Sequence, residues 1–224
     1  MGLRKIQFVE GEFYHIYNRG VDKRVIFDDY LDYFRFTVLL YLSNSDNETR
    51  VGKYFEQGSS LSELLNIKRT GNKLVDIGAY CLMPNHFHLL IRERTEGGIS
   101  TFMQKISTAY SKYYNNKNER TGSLFQGKFK AEYVDSDNYL KYLFAYIHLN
   151  PVKLIDSKWR ENGIKNKKKT KLFLEKYKHS SYLDFTGNIR EANKILNIEN
   201  FPSYFETFEE FVFFIEDWLS FKDN

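Results

Sequence analysis

A chain of 224 residues, 42% hydrophobic and 17% aromatic, can bury one ordinary domain plus an appendage, which excludes a disordered chain. A formal charge of +4 is too small for basicity alone to argue for nucleic acid. Its placement says more: nine Lys or Arg face two Glu between Lys158 and Lys178, and seven acidic residues face one Lys between Glu199 and Asn224. Cys81 is the only cysteine, so no intrachain disulfide can form and a reducing cytoplasm fits. The opening MGLRKIQFVEGEFYH lacks the apolar core of a signal peptide, and no stretch approaches the roughly 20 apolar residues of a membrane span. The expectation is a soluble intracellular protein.

In chain order, Phe13–Arg19 alternates aromatic or apolar with polar residues and predicts a first strand, closed by Gly20. Asp28–Leu42 carries a broad apolar face at helical spacing. Residues 43–72 are polar and irregular, with Gly52, Gly58 and Gly71, and read as an insertion carrying a short helix near Ser60–Lys68. Two apolar runs, Val75–Met83 and Phe87–Ile91, then flank the turn-forming Pro84-Asn85 and predict a hairpin. On its second strand His86 and His88 are two apart, so both imidazoles share a face while Phe87 points to the other.

Ile99–Asn115 predicts a helix with one apolar face. Ser123–Val134 predicts a loop leading into a strand, with Lys128 and Lys130 on one face. Asp135 and Ser136 are good caps for a helix from Asp137 to about Leu149, and Pro151 should force Asn150 out of helical geometry. Strand, helix, strand, strand, helix, strand, helix is best satisfied by an α+β, ferredoxin-like antiparallel sheet with helices packed on one side. Beyond about Lys153 come a basic segment and two helical stretches, Glu191–Ile198 and Phe208–Phe221, which predict a small helical C-terminal appendage. The expected division is a domain of residues 1–155, interrupted by the 43–72 insertion, followed by the extension 156–224.

Two imidazoles on a rigid strand are a ready pair of metal ligands. Tyr146 and Asn150, four apart, lie on one side of the last helix and its exit turn. An amide oxygen with two imidazoles suits Mg²⁺ or Mn²⁺ better than structural zinc. A phenol beside a metal-held phosphate could attack it in line, but residue spacing does not select Tyr146 over Tyr142, Tyr110, Tyr113, Tyr114 or Tyr17. His15 could face the same site or line the core, whereas His148 points to another side of its helix and reads as a packing or surface residue. Arg120, Lys128 and Lys130, with Phe125 and Gln126, form a basic and aromatic set suited to single-stranded DNA. Asn18 and Arg19 end the first strand where phosphates could be contacted. The Lys165–Lys171 run is a solvated loop or a contact to a duplex stem.

The runs YHIYNRG (14–20), AYCLMPNHFHLLI (79–91), RTGSLFQGKFKA (120–131) and YIHLNPVK (146–153) resemble the single-tyrosine HUH transposases, most closely their REP-associated branch. A fainter similarity in HSSYLDFTG (179–187) places His179 where that branch usually has Trp. The resemblance implies a divalent metal, Mg²⁺ or Mn²⁺, on His86 and His88, with Asn150 as third ligand and Tyr146 as nucleophile. It implies nicking of single-stranded DNA near imperfect hairpins, a covalent 5′-phosphotyrosine and strand transfer by a cytoplasmic, nucleoid-associated enzyme. Such enzymes act as monomers or as homodimers that exchange the tyrosine helix. The competing expectations are a domesticated protein that binds hairpin DNA with little or no cleavage, and a phosphohydrolase that uses water as nucleophile.

Overall fold

The computed structural model describes residues 6–47, 51–56 and 58–218. Four strands, β1 (Phe13–Arg19), β2 (Val75–Met83), β3 (His86–Glu93) and β4 (Lys130–Tyr133), form one sheet in the order β2-β3-β1-β4. Every neighbouring pair is antiparallel. With crossover helices α1 (Tyr30–Leu42) after β1 and α4 (Gly98–Lys117) after β3, this is the expected ferredoxin-like α+β arrangement.

Strand alternation sorts the sheet into two chemically distinct faces. Phe87 points toward the crossover helices, its ring 5.0 Å from Phe36 of α1, and Phe36 in turn meets Tyr110 of α4 at 5.0 Å. The Tyr110 hydroxyl, buried with them, donates to the Ile26 carbonyl, so its one polar atom is satisfied. The 43–72 segment contains α2 (Gly52–Glu56) and α3 (Leu61–Leu65). Its base is fixed by buried Asn44, whose amide accepts from the Leu74 and Val75 N–H groups and donates to the Val75 carbonyl.

The opposite face is covered by α5 (Asp137–Leu149), so helices pack on both faces of the sheet and not on one as expected. The first turn of α5 is capped by the Ser136 hydroxyl accepting from the Tyr139 N–H. Pro151 does not extend Asn150, which keeps right-handed helical angles (φ −54°, ψ −39°). The chain instead tightens into a 3-10 turn, Asn150–Leu154, and the Asn150 N–H reaches Ile147 rather than the residue four back. Proline biases the preceding residue but does not forbid the helical region, and its missing N–H costs little at the first position of a new turn.

β2 is an edge strand, yet all nine of its residues are buried. The C-terminal extension is what covers it. The Leu82 N–H donates to the His179 carbonyl, the Tyr80 N–H to the Ser181 hydroxyl, and the Asn197 N–H to the Ile77 carbonyl. An apolar edge left open would invite pairing with another chain. At the register shift between Ile77 and Ala79, the Phe201 ring lies so close to Gly78 that a Cβ there would sit 2.6 Å from it. His179 stacks on Tyr33 with centroids 3.6 Å apart. The basic segment is partly helical: α6 (Trp159–Asn162) and α7 (Lys167–Leu174). The second expected C-terminal helix is α8 (Phe208–Trp218), while the first reduces to a 3-10 turn, Glu191–Ile195. Residues 219–221 of the expected helix lie outside the described residues.

His148 is a packing residue. It is fully buried against Phe185 and Phe211, and its Nε2 lies 2.7 Å from the Ser181 hydroxyl. Burial lowers its pKa to about 3, so the folded protein holds it neutral while the unfolded chain protonates it near pH 6.5. Protons therefore favour the unfolded state as pH falls from about 6.5 toward 3, and stability contributed at neutral pH is lost by up to about 1.4 kcal/mol per pH unit. Urea unfolding at pH 7.5 and pH 5 should show this loss, and His148→Gln should flatten it. An unchanged slope in the variant would remove His148 from the acid response.

Candidate active site

The face beneath α5 carries His15, Tyr17 and Arg19 from β1, and His86 and His88 from β3, with Tyr17 directly opposite His88 and Arg19 opposite His86. Strand parity alone places these five side chains together. From the other side, Tyr146 of α5 brings its ring to 5.4 Å from His88 and 5.7 Å from His15, edge-on to both. Lys153, from the 3-10 turn, and Arg160, from α6, complete a cleft of about 410 Å³. Its size suits a small polar group such as one nucleotide phosphate and its surroundings.

The histidines are oriented by a chain of hydrogen bonds. Glu132 of β4 lies 3.4 Å from His15 Nδ1, and His15 Nε2 lies 2.9 Å from His88 Nδ1. The hydrogen bond from His15, with those from the Tyr17 and Tyr139 hydroxyls, holds the Glu132 carboxyl down to about 2, so it is an acceptor only. His15 then donates through Nδ1 and accepts from His88 Nδ1–H, which leaves the lone pair of His88 Nε2 free. His86 arrives at the same state independently, its Nδ1 lying 2.6 Å from the Asn85 side-chain oxygen. Both imidazoles are held neutral: burial first, then the nearby positive charge of Lys153, lowers His86 to about 4. Burial, with His15 and His86 beside it, puts His88 well below its ordinary value.

Asn150 is fully buried, and neither its side-chain oxygen nor its nitrogen has a hydrogen-bond partner. An orphaned buried amide is costly and calls for an explanation. It lies close enough to His86 to oppose the lowering of that imidazole's pKa. Two neutral imidazole lone pairs and a free amide oxygen therefore fit a divalent cation of the Mg²⁺ or Mn²⁺ type. Among the described residues no group of three or more His, Cys, Asp or Glu forms a metal site. The donor set is of mixed imidazole and amide character instead.

The residues expected to meet DNA divide into two groups. Asn18, Arg19, Gln126 and Lys130 line the cleft. The Asn18 amide is already engaged, donating to the Gly127 carbonyl and accepting from the Arg19 N–H. Phe125 is a core residue, 5% exposed and packed on Phe87, so its ring is unavailable to a base. Arg120 is committed to Asn115 and the Ser123 carbonyl at the end of α4. Lys128 does not share a face with Lys130, because β4 begins only at Lys130 and Gly127 turns the chain with φ +75°. Lys128 lies instead in a separate groove with Phe8 and Met103.

Glu132, Tyr139, Lys153 and Arg160 escaped the sequence reading as site residues. Period-two alternation from Lys130 would have placed Glu132 on the site face. Arg160 carries no such signal, because only the tertiary fold returns α6 to the sheet.

Residues 58–150 match the family model of IS200-like transposases. No curated protein matches the chain. Among solved structures the chain is similar to that of a REP-associated tyrosine transposase bound to a REP hairpin, at 12% identity and a TM-score of 0.48, over 82% of this chain and 84% of that one. The matched segment, less than half of the chain, contains His86, His88, Tyr146 and Asn150.

Proposed function

We propose that the protein is a single-tyrosine nuclease and strand transferase acting on single-stranded DNA beside imperfect hairpins. The observation that carries this reading is the convergence of Tyr146, from α5, on His88 and His15 next to the orphaned amide of Asn150. His86, His88 and Asn150 would hold Mg²⁺ or Mn²⁺, which supplies Lewis-acid withdrawal of charge from a phosphate oxygen. The Tyr146 oxygen forms a bond to phosphorus as the bond from phosphorus to O3′ breaks. The phenol gives up its proton, the departing 3′ oxygen takes one, and the product is a 5′-phosphotyrosine with a free 3′-OH. Arg19 and Lys153 line the same cleft and provide positive charge for the strand. The hairpin preference rests on the four motifs that resemble the REP-associated branch. In this reading residues 1–155 form the catalytic unit and 156–224 an extension that supports it. No helix among the described residues is long and apolar enough to cross a membrane.

The test is an adduct assay on a denaturing gel, with labelled single-stranded hairpin DNA from the flanks of the protein's own gene and Mn²⁺ or Mg²⁺. A retarded covalent band that chelator abolishes is the expected result. Binding without an adduct across several hairpins would favour a domesticated hairpin-binding protein. Metal-dependent cleavage without an adduct would favour water as nucleophile.

A further inference from the structure

Arg160 lies beyond the segment matched by the family model, and its position is unusual for an arginine. Its guanidinium carbon stacks 4.3 Å from the centroid of the Tyr146 ring. Its Nε and Nη2 atoms are buried and have no hydrogen-bond partner. The neighbouring Trp159 is buried and anchors the short helix that carries it. Arg19 and Lys153 line the same cleft, and among the described residues none of the three makes an ion pair. Lys153 registers the crowding: burial and the charges of Arg160 and Arg19 bring its ammonium down to about 8. Unpaired buried donors on an obligate cation leave a place for an anion.

We propose that Arg160 is a catalytic residue, binding a non-bridging oxygen of the scissile phosphate through its free N–H groups while its stacked plane fixes the Tyr146 ring. This rests on the nuclease reading above and adds to it a contributor from the C-terminal extension. A planar fork of donors matches phosphate oxygens, and a stacked guanidinium keeps the phenol aligned with phosphorus. As the tyrosine–phosphorus bond forms and the bond to O3′ breaks, negative charge accumulates on the equatorial oxygens that Arg160 would contact. A lysine at 160 would retain charge but lose the fork and the stack.

The experiment compares single-turnover adduct formation by the full-length protein and by Arg160→Gln and Arg160→Lys, at saturating DNA. A fall of about 10²–10³-fold is expected for both variants, the scale of losing one aimed transition-state donor, with DNA affinity changed only a few-fold. The second arm replaces the scissile phosphate with a methylphosphonate, which removes one charged oxygen. The ratio between wild type and variant should then shrink toward one, which a merely structural role would not produce. Variants within about 3-fold of wild type on normal DNA, or a ratio unchanged on the methylphosphonate, would overturn the proposal while wild-type adduct formation leaves the nuclease reading standing. No adduct from the wild type would overturn both.

Discussion

Tyr146→Phe is expected to abolish the covalent DNA adduct, a loss of at least about 10⁴-fold, while leaving the fold essentially as stable as before. The Tyr146 ring is half-buried and packs on His88, His15 and Tyr142, contacts that phenylalanine retains. Removal of one hydroxyl at such a position should change stability by no more than about 0.5 kcal/mol. The other tyrosines are disqualified by their surroundings. The Tyr17 hydroxyl donates to Glu132, and burial with that bond pushes its pKa up to about 12. Tyr110 and Tyr114 donate to the backbone carbonyls of Ile26 and Val25, and Tyr113 donates to Asp32. All three lie on the crossover-helix side of the sheet, away from the histidines. Only Tyr142, stacked on Tyr146 at 5.9 Å and exposed, stays within reach. An adduct that survived Tyr146→Phe and vanished in Tyr142→Phe would move the nucleophile one turn toward the helix N-terminus.

Asn150→Leu should separate stability from function in opposite directions. Leucine matches the heavy-atom count and branching of asparagine, though its methyl groups are bulkier, and brings no polar atom into a position where both amide atoms are orphaned. The metal-free protein should gain about 1–2 kcal/mol, seen as a rise of a few degrees in Tm. In the wild type, Mn²⁺ should raise Tm because it binds only the folded site, and the variant should lose most of that increment together with adduct formation. Residues kept for function at a cost in stability behave in this way. A variant that melts lower than wild type without metal, yet shows the full Mn²⁺ increment, would make Asn150 a packing residue. Thermal scans with and without Mn²⁺, in the presence and absence of chelator, decide the matter without reference to DNA cleavage.

Much of this was readable in residue order. Alternation in Phe13–Arg19 and His86–Glu93 sets which side chains share a face, because a strand has no other way to arrange them. The four-residue spacing of Tyr146 and Asn150 similarly holds on any helix. The motifs around them are what resembles the single-tyrosine HUH transposases. The bounds of α5 agree with the sequence reading because Ser136 caps one end and Pro151 marks the other.

What the sequence could not supply was partnership across distance. Glu132 and His15 are 117 residues apart, and only antiparallel pairing of β1 with β4 sets them opposite each other. Pairing of β1 with β3 decided between the two readings of His15, since its ring nitrogen meets His88 rather than the core. Phe125 and Lys128 looked like DNA contacts because composition does not reveal direction: one turns into the core, and Gly127 carries the other away. The C-terminal extension reads in sequence as a basic segment and a small helical appendage, and its role as cover for the edge of β2 exists only once the sheet has formed. Local periodicity, then, determined the strands and the longer helices before residue 150, and set His86 beside His88 and Tyr146 beside Asn150, while the choice of Tyr146 among the tyrosines rested on the resemblance. The tertiary structure alone decided which long-range groups orient that set, because hydrogen bonds and ring stacking reach only a few ångströms and the chain must fold to bring their partners within range.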